Sequence, residues 1–173
     1  MRPLVDPDFW RDRAVLLTGH TGFKGAWLAL WLQSLGARVS GLSDGVPTVP
    51  SLYELARVGD GVQGFRADVR DHEAVLAAFA AGAPEIVIHM AAQPFVRRSF
   101  VDPRGTYETN VMGTVNVLEA VRHTPSVRVV VAVTSDKCYD NDASRAPRPF
   151  VEGDSMGGHD PYSSSKGCAE LVV

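Results

Sequence analysis

Cysteine is nearly absent. The 173-residue chain has two, Cys138 and Cys168, which build neither a disulfide framework nor a zinc-binding spacing. No metal site is expected, and a reducing cytoplasm is the natural setting. Long apolar runs are also missing. None approaches the ~20 residues of a membrane span, so no membrane role is expected. The opening residues, Met1-Arg2-Pro3-Leu4-Val5-Asp6-Pro7-Asp8, lack the apolar segment of a signal peptide. A net charge of only −3 leaves no basic footprint for nucleic acid. There are no internal repeats and no low-complexity tail. What is present is 45% hydrophobic and 21% charged, the balance of a globular chain of about one domain with a substantial core.

Apolar segments alternate between strand-like and helix-like patterns. Residues 14–17 read as a short strand. A glycine-rich turn follows, and then an amphipathic helix through Trp27, Leu28, Leu30, Trp31, Leu32 and Leu35 that stops at Gly36. A second strand covers 38–42, a Pro/Gly-rich loop 43–50, and a short helix starts at Leu52. A third strand covers 63–67, and Asp71 caps a helix through Leu76 and Phe79. A fourth strand covers 86–89. A long helix spans about 106–122, with Val111, Val115, Leu118 and Val121 on one stripe. The apolar run 127–133 reads as a buried fifth strand. Residues 139–161 are irregular, and a helix begins at Tyr162 after Asp160-Pro161. This alternation predicts an α/β fold, a doubly wound parallel sheet covered on both faces.

Ligands of such sheets lie at the strand ends. After the first strand the sequence reads Thr18-Gly19-His20-Thr21-Gly22-Phe23-Lys24-Gly25. Glycines in the pattern G-x-x-G-x-x-G permit a tight turn, close approach of a pyrophosphate and tight helix packing, with helix N–H groups facing the phosphates. Glycines alone are a weak signal, but these sit between a strand and a helix. After the second strand, Asp44 is placed to hold an adenosine ribose, which favours NAD over NADP; a solvated loop aspartate is the competing reading. After the third strand, Asp68 and Val69 are placed to meet the adenine edge and face. After the fourth, Ala91-Ala92-Gln93 are small enough to let a ribose or nicotinamide lie close.

The fifth strand ends in Thr134-Ser135-Asp136-Lys137, and the last helix opens with Tyr162-Ser163-Ser164-Ser165-Lys166. Tyr162 and Lys166 share one helical face. A lysine held there favours the phenolate of a neighbouring tyrosine. A hydroxyl, a tyrosine and a lysine together can take a proton from an alcohol while hydride leaves the same carbon. Asp136 and Lys137 add a second acid/base pair that simple alcohol oxidation does not need. A surface ion pair at a strand end is the bland reading of those two. Cys138, Cys168, His20 and His89 read as packing or hydrogen-bonding residues, and Trp27 and Trp31 as core or interface. Phe95, Arg97 and Arg98 either face the ligand or are solvated.

On these residues the chain resembles the N-terminal part of an extended short-chain dehydrogenase/reductase, within it the sugar-nucleotide 4,6-dehydratases, and among those the branch acting on CDP-glucose. The resemblance also runs through Trp31-Leu32, Pro50-Ser51-Leu52-Tyr53-Glu54, Pro94, Asn110-Val111-Met112-Gly113-Thr114 and Cys138-Tyr139, and it covers nearly the whole chain. It implies a Rossmann-type NAD-binding domain over 1–173, the C-terminal substrate lobe being absent from this chain. It implies NAD as cofactor, held by Gly19, Thr21, Gly22, Phe23, Lys24, Gly25, Asp44, Asp68, Val69, Ala91, Ala92, Gln93, Asn110, Thr134, Tyr162 and Lys166. The substrate implied is CDP-glucose or another nucleotide sugar, and the assembly a homodimer formed through the long helix and the helix of Tyr162. Tyr162 would be the base, Lys166 would set its ionisation and bind the nicotinamide ribose, and Ser135 would bond the alcohol. Asp136 would protonate the departing C6 hydroxyl. Lys137 stands where related dTDP-sugar dehydratases carry a glutamate; it would help remove the C5 proton, aided by burial or a nearby cation.

Two rivals stay open. A sugar-nucleotide 4-epimerase shares the cofactor loop, Ser135, Tyr162 and Lys166, but usually has small apolar residues at 136 and 137. A nucleotide-binding module without turnover is the other, since the chain stops seven residues after Lys166. The loop 141–150 matches the family poorly, whereas Glu152, Asp154, Gly157, Gly158 and Asp160 fit again.

Overall fold

The computed structural model describes residues 5–140 and 148–173; most of the poorly matching loop 141–150 lies outside them. A single turn, α1 (Pro7–Trp10), is capped by Asp6, whose carboxylate accepts from Asp8 N at 3.0 Å. It precedes β1 (Ala14–Thr18), buried throughout. There follow α2 (Phe23–Ser34), β2 (Arg38–Ser43), α3 (Leu52–Leu55), a 3-10 turn at Val58–Gly61 and β3 (Val62–Arg66). Next come α4 (His72–Gly82) and β4 (Ile86–His89). The run from α5 (Val96–Val101) through α6 (Pro103–Tyr107), a π-helical segment (Glu108–Met112) and α7 (Gly113–Arg122) leads to β5 (Val129–Ala132). A 3-10 turn at Asp136–Cys138 and α8 (Pro161–Val172) complete the order.

All five strands are parallel, in the order β3-β2-β1-β4-β5. Val15 of β1 pairs with Val39 of β2 on one side and Ile86 of β4 on the other. The chain therefore winds outward from β1 to β3, then crosses back to lay β4 beside β1. That reversal opens a crevice at the carboxyl ends of β1 and β4, where open α/β sheets bind ligands. Alternation along the strands splits the core into two layers. Val15, Leu17, Ile86 and Ile88 pack with Ala26, Ala29 and Leu32 of α2. Leu16, Leu42 and Val87 pack with Val75 and Phe79 of α4 and Val117 and Ala120 of α7. Each large side chain so buried contributes about 1.5–3 kcal/mol. The helix starts follow their capping residues: Asp71 accepts from Ala74 N at 3.1 Å and Asp160 from Ser163 N at 2.9 Å.

Three expectations need correction. The fifth strand is shorter than 127–133 and is not buried. Val129 and Val131 are each 46% exposed, because β5 is the sheet edge and, among the described residues, only Val130 of its three valines packs into the core. The α2 helix is not apolar on one side only. It turns Gly25, Ala26 and Ala29 to the sheet and leaves Trp27 and Trp31 more than half exposed, so the two tryptophans are not core. Small residues are needed there, since a Cβ on Gly25 would lie 2.1 Å from Gly19 O. The long helix starts at Pro103, and its buried stripe is Thr106, Asn110, Gly113, Thr114, Val117 and Ala120; of the expected Val111, Val115, Leu118 and Val121, only Val121 packs against the core. Val69 seats against Gly113, where a Cβ would be 2.7 Å from Val69 Cγ2, and that contact sets the buried face.

Candidate active site

The glycine loop is shaped by close approach. Gly19 has a φ of +73°, and a Cβ there would sit 3.0 Å from both Ala91 Cα and Ala91 N. A side chain at Gly19 would therefore both strain the turn and push β1 from the chain leaving β4. Gly22 caps α2 with no side-chain bond, so the first N–H groups of the helix remain available to an anion. The Thr21 hydroxyl lies 3.0 Å from Ser43 Oγ and 2.6 Å from Gly45 O, tying the loop to the end of β2. Phe23 and Lys24 are exposed. His20 is buried against Gly41 and Tyr53; burial lowers its pKa, and its Nδ1 has no hydrogen-bond partner among the described residues. This cradle, with no room for a Cβ at Gly19 or Gly25 and with uncapped N–H groups, fits the pyrophosphate of a dinucleotide.

Beneath it lies a network that the sequence did not reveal. Thr18 Oγ1 accepts from Met90 N and Ala91 N, both at 3.0 Å, and lies 2.7 Å from His89 Nδ1. With two donors already on its oxygen, the Thr18 hydroxyl gives its own proton to Nδ1. His89 Nε2 then carries a hydrogen and donates to Thr114 Oγ1 at 3.0 Å, and Thr114 donates to Asn110 O at 2.7 Å. The network so assigns the neutral Nε2–H tautomer. Burial first, and then the charge of Lys166, lower the His89 pKa to about 4. One imidazole thus joins the ends of β1 and β4 to the long helix that follows. A threonine closing the first strand and a histidine closing the fourth were the available signals, but only the register pairs them.

The adenosine side is more open. Asp44 is exposed. Asp68 is held by Arg70, whose Nε and Nη2 bond it at 2.9 and 2.6 Å, and this pairing lowers the Asp68 pKa. Arg70 also lies 3.8 Å from Glu108. Val69 is only 4% exposed, packed inward, so it has little side chain to offer an adenine face. Beyond β4, Ala91 and Ala92 are half-buried. Asn110 Oδ1 accepts from Gln93 N at 2.8 Å, while Asn110 Nδ2 donates to Gln93 O at 3.2 Å and Ser165 Oγ at 2.9 Å. Gln93 in turn bonds Thr106 Oγ1 at 3.0 Å. Asn110 therefore ties the loop after β4 to α8. Phe95, Arg97 and Arg98 are exposed.

On α8, Tyr162 is half-buried and Lys166 is buried. Burial pushes the Lys166 pKa down, and the Glu170 carboxylate one turn on opposes that shift. Ser135 Oγ accepts from Lys137 N at 3.2 Å and donates to Asp136 Oδ1 at 3.3 Å. The turn rests on α8, since a Cβ on Gly167 would be 3.4 Å from Cys138 O. Asp136 and Lys137 are both exposed, so the burial expected to assist Lys137 is absent. Thr134 points its hydroxyl at Glu170. The sequence reading passed over Glu170, although its position four residues after Lys166 placed it on the same helical face.

A family model described as GDP-mannose 4,6 dehydratase matches residues 16–173. The CDP-glucose 4,6-dehydratase of Salmonella typhimurium is 51% identical over 98% of this chain and 47% of its own length. The dTDP-glucose 4,6-dehydratase of Mycolicibacterium smegmatis is 33% identical, covering 92% of this chain and 47% of its own. Among solved structures, the UDP-glucose 4-epimerase of Thermus thermophilus in complex with NAD superposes with a TM-score of 0.74 at 33% identity, over 91% of this chain and 48% of that one. The chain spans about half the length of the curated relatives it matches. With the glycine cradle, the crevice between β1 and β4 and the matched residues all in agreement, the chain belongs to the GDP-mannose 4,6 dehydratase family.

Proposed function

We propose that this chain carries the NAD site and the acid/base groups of a sugar-nucleotide 4,6-dehydratase acting on CDP-glucose, as the NAD-binding domain of an enzyme of its relatives' length. The observation that carries the reading is the Asp136–Cys138 turn packed on the helix of Tyr162 and Lys166. It brings an acid and an amine to the neighbourhood of a redox pair. Bound in the crevice, NAD would supply two-electron redox chemistry, accepting hydride at one stage of the cycle and giving it back at another. The first turn of α2 holds the pyrophosphate, Asp44 the adenosine ribose, and Asp68 the adenine edge.

Tyr162 takes the proton of the C4 hydroxyl while Ser135 bonds that oxygen. The resulting C4 ketone acidifies the C5 proton, which Lys137 removes. Asp136 gives a proton to the departing C6 hydroxyl, which leaves as water. Lys137 then returns a solvent-exchanged proton to C5, and with the hydride that NAD would give back the net change would be loss of one water. The buried, cationic Lys166 favours the tyrosinate and hydrogen-bonds the nicotinamide ribose. A 4-epimerase is the second reading, favoured by the epimerase fold match; Asp136 and Lys137 argue against it, because epimerisation has no elimination to catalyse.

Two finer assignments belong to the same proposal. Val111, Val115 and Leu118 are left half-buried and Met112 half exposed along the long helix, an apolar stripe suited to a second copy in a homodimer. Both cysteines are free thiols, which suits a reducing cytoplasm. No helix among the described residues is long and apolar enough to cross a membrane. The test is mass spectrometry of CDP-glucose incubated with the full-length enzyme and NAD in deuterated water. Loss of one water with one deuterium retained is expected. An unchanged mass with NAD bound would overturn the dehydratase reading.

A further inference from the structure

Glu170 lies outside the residues assigned a chemical role, yet its carboxylate reaches both ends of the turn that carries the second acid/base pair. At one end it accepts the hydroxyl proton of Thr134, the residue before Ser135. At the other lies Cys138, the residue after Lys137, whose thiol is pushed up first by burial and then by the adjacent Glu170 charge. Between these ends, the turn closes on itself through Cys138 N to Ser135 O at 3.0 Å and Tyr139 N to Asp136 O at 3.2 Å. Glu170 also sits one helical turn from Lys166 and two from Tyr162. No other carboxylate among the described residues bonds Thr134.

We infer that Glu170 is a positioning residue that clamps the Ser135–Asp136–Lys137 turn to the helix of Tyr162 and Lys166, so that the oxidation pair and the elimination pair address one sugar. The bond from Thr134 to Glu170 fastens the start of the turn to α8, while buried Cys138 packs its far end beside Gly167. The catalytic part of this inference rests on the proposed dehydratase reading; the clamp itself does not. The carboxylate acts through a hydrogen bond to Thr134, which a carboxamide oxygen can also accept. Glu170 should therefore tolerate glutamine and not alanine.

The experiment compares the full-length enzyme with Glu170→Ala, Glu170→Gln and Thr134→Val by amide hydrogen exchange and by turnover of CDP-glucose. In Glu170→Ala and Thr134→Val, the amides of Lys137, Cys138 and Tyr139 should exchange about tenfold faster, while those of β1 and α4 are unchanged. In Glu170→Ala, kcat should fall about a hundredfold with KM for the nucleotide sugar little altered, as expected when a reacting group is misplaced by about 1 Å. Glu170→Gln should keep exchange at 137–139 close to the parent. Exchange at 137–139 unchanged in Glu170→Ala, or raised equally throughout the chain, would overturn the clamp. A parent enzyme that leaves CDP-glucose intact, combined with faster exchange confined to 137–139, would overturn the dehydratase reading and uphold the clamp.

Discussion

The wall of the crevice built by β1 and β4 is closed by its own bonds, whereas the wall built by β5 and the Asp136–Cys138 turn is open. On the first wall, Thr18, His89 and Thr114 are all at or below 4% exposure, and His89 hydrogen-bonds the other two. On the second, Val129, Val131 and Val133 are each more than a third exposed, and Asp136 and Lys137 face outward. The difference follows the work proposed for each. A cofactor that remains in place throughout the cycle suits a preorganised cradle, since donors fixed beforehand need no rearrangement on binding. Groups that must reach C5 and C6 of an incoming sugar have to be accessible.

The largest effect expected from breaking the open wall is chemical. Asp136→Asn or Lys137→Ala in the full-length enzyme should lower the rate of water loss about a thousandfold, the usual span for one general acid or base. Melting temperature should barely change, because both side chains are exposed; the measurement is product mass against time alongside a thermal melt. On the closed wall the order reverses. Gly25→Val drives a side chain onto Gly19 O and His20 Cα, 2.1 and 2.8 Å from the new Cβ. It should cost about 3 kcal/mol or more, read as lost soluble yield or a lowered urea midpoint.

A pH series sharpens the contrast further. His89 titrates near 6.5 when unfolded and at about 4 when folded, so the unfolded state binds the proton more readily. Its stabilisation is complete above pH 6.5 and is lost as pH falls toward 4. Between pH 7 and pH 5 the loss from this group amounts to about 2 kcal/mol, measurable by urea unfolding. His89→Gln should flatten that dependence. The smallest effect is expected at a helix start: Asp71→Ala removes the cap of α4 and should cost about 1 kcal/mol, read as a lowered urea midpoint.

Much of the closed wall was legible in the sequence because its signals are local. The 14–17 and 86–89 strands and the glycine loop each depend on residues a few positions apart, as does the Asp71 cap elsewhere in the chain. The burial of β5 was not legible, since an edge strand and a central parallel strand can share one run of valines; position in the sheet decides between them. The buried face of the long helix was misread because Gly113 and Thr114 were passed over for Val111 and Val115. Close seating on Val69 favours the small residue, and the pull of His89 favours the hydroxyl. The Thr18–His89 and Thr134–Glu170 bonds join residues 71 and 36 positions apart, beyond any spacing rule.

The crossing from β3 back to β4 also has a consequence in time. Of the five strands β1 emerges first from the ribosome, and β2 and β3 can dock on one of its edges soon afterwards. Its other edge waits for Ile86, the partner of Val15. At about 5–20 residues per second, that wait lasts several seconds. Throughout it the apolar β1 holds an unpaired row of amides, an invitation to intermolecular pairing. The growing chain is thus most in need of a chaperone before β4 arrives, and the Thr18–His89 bond marks the end of that exposure.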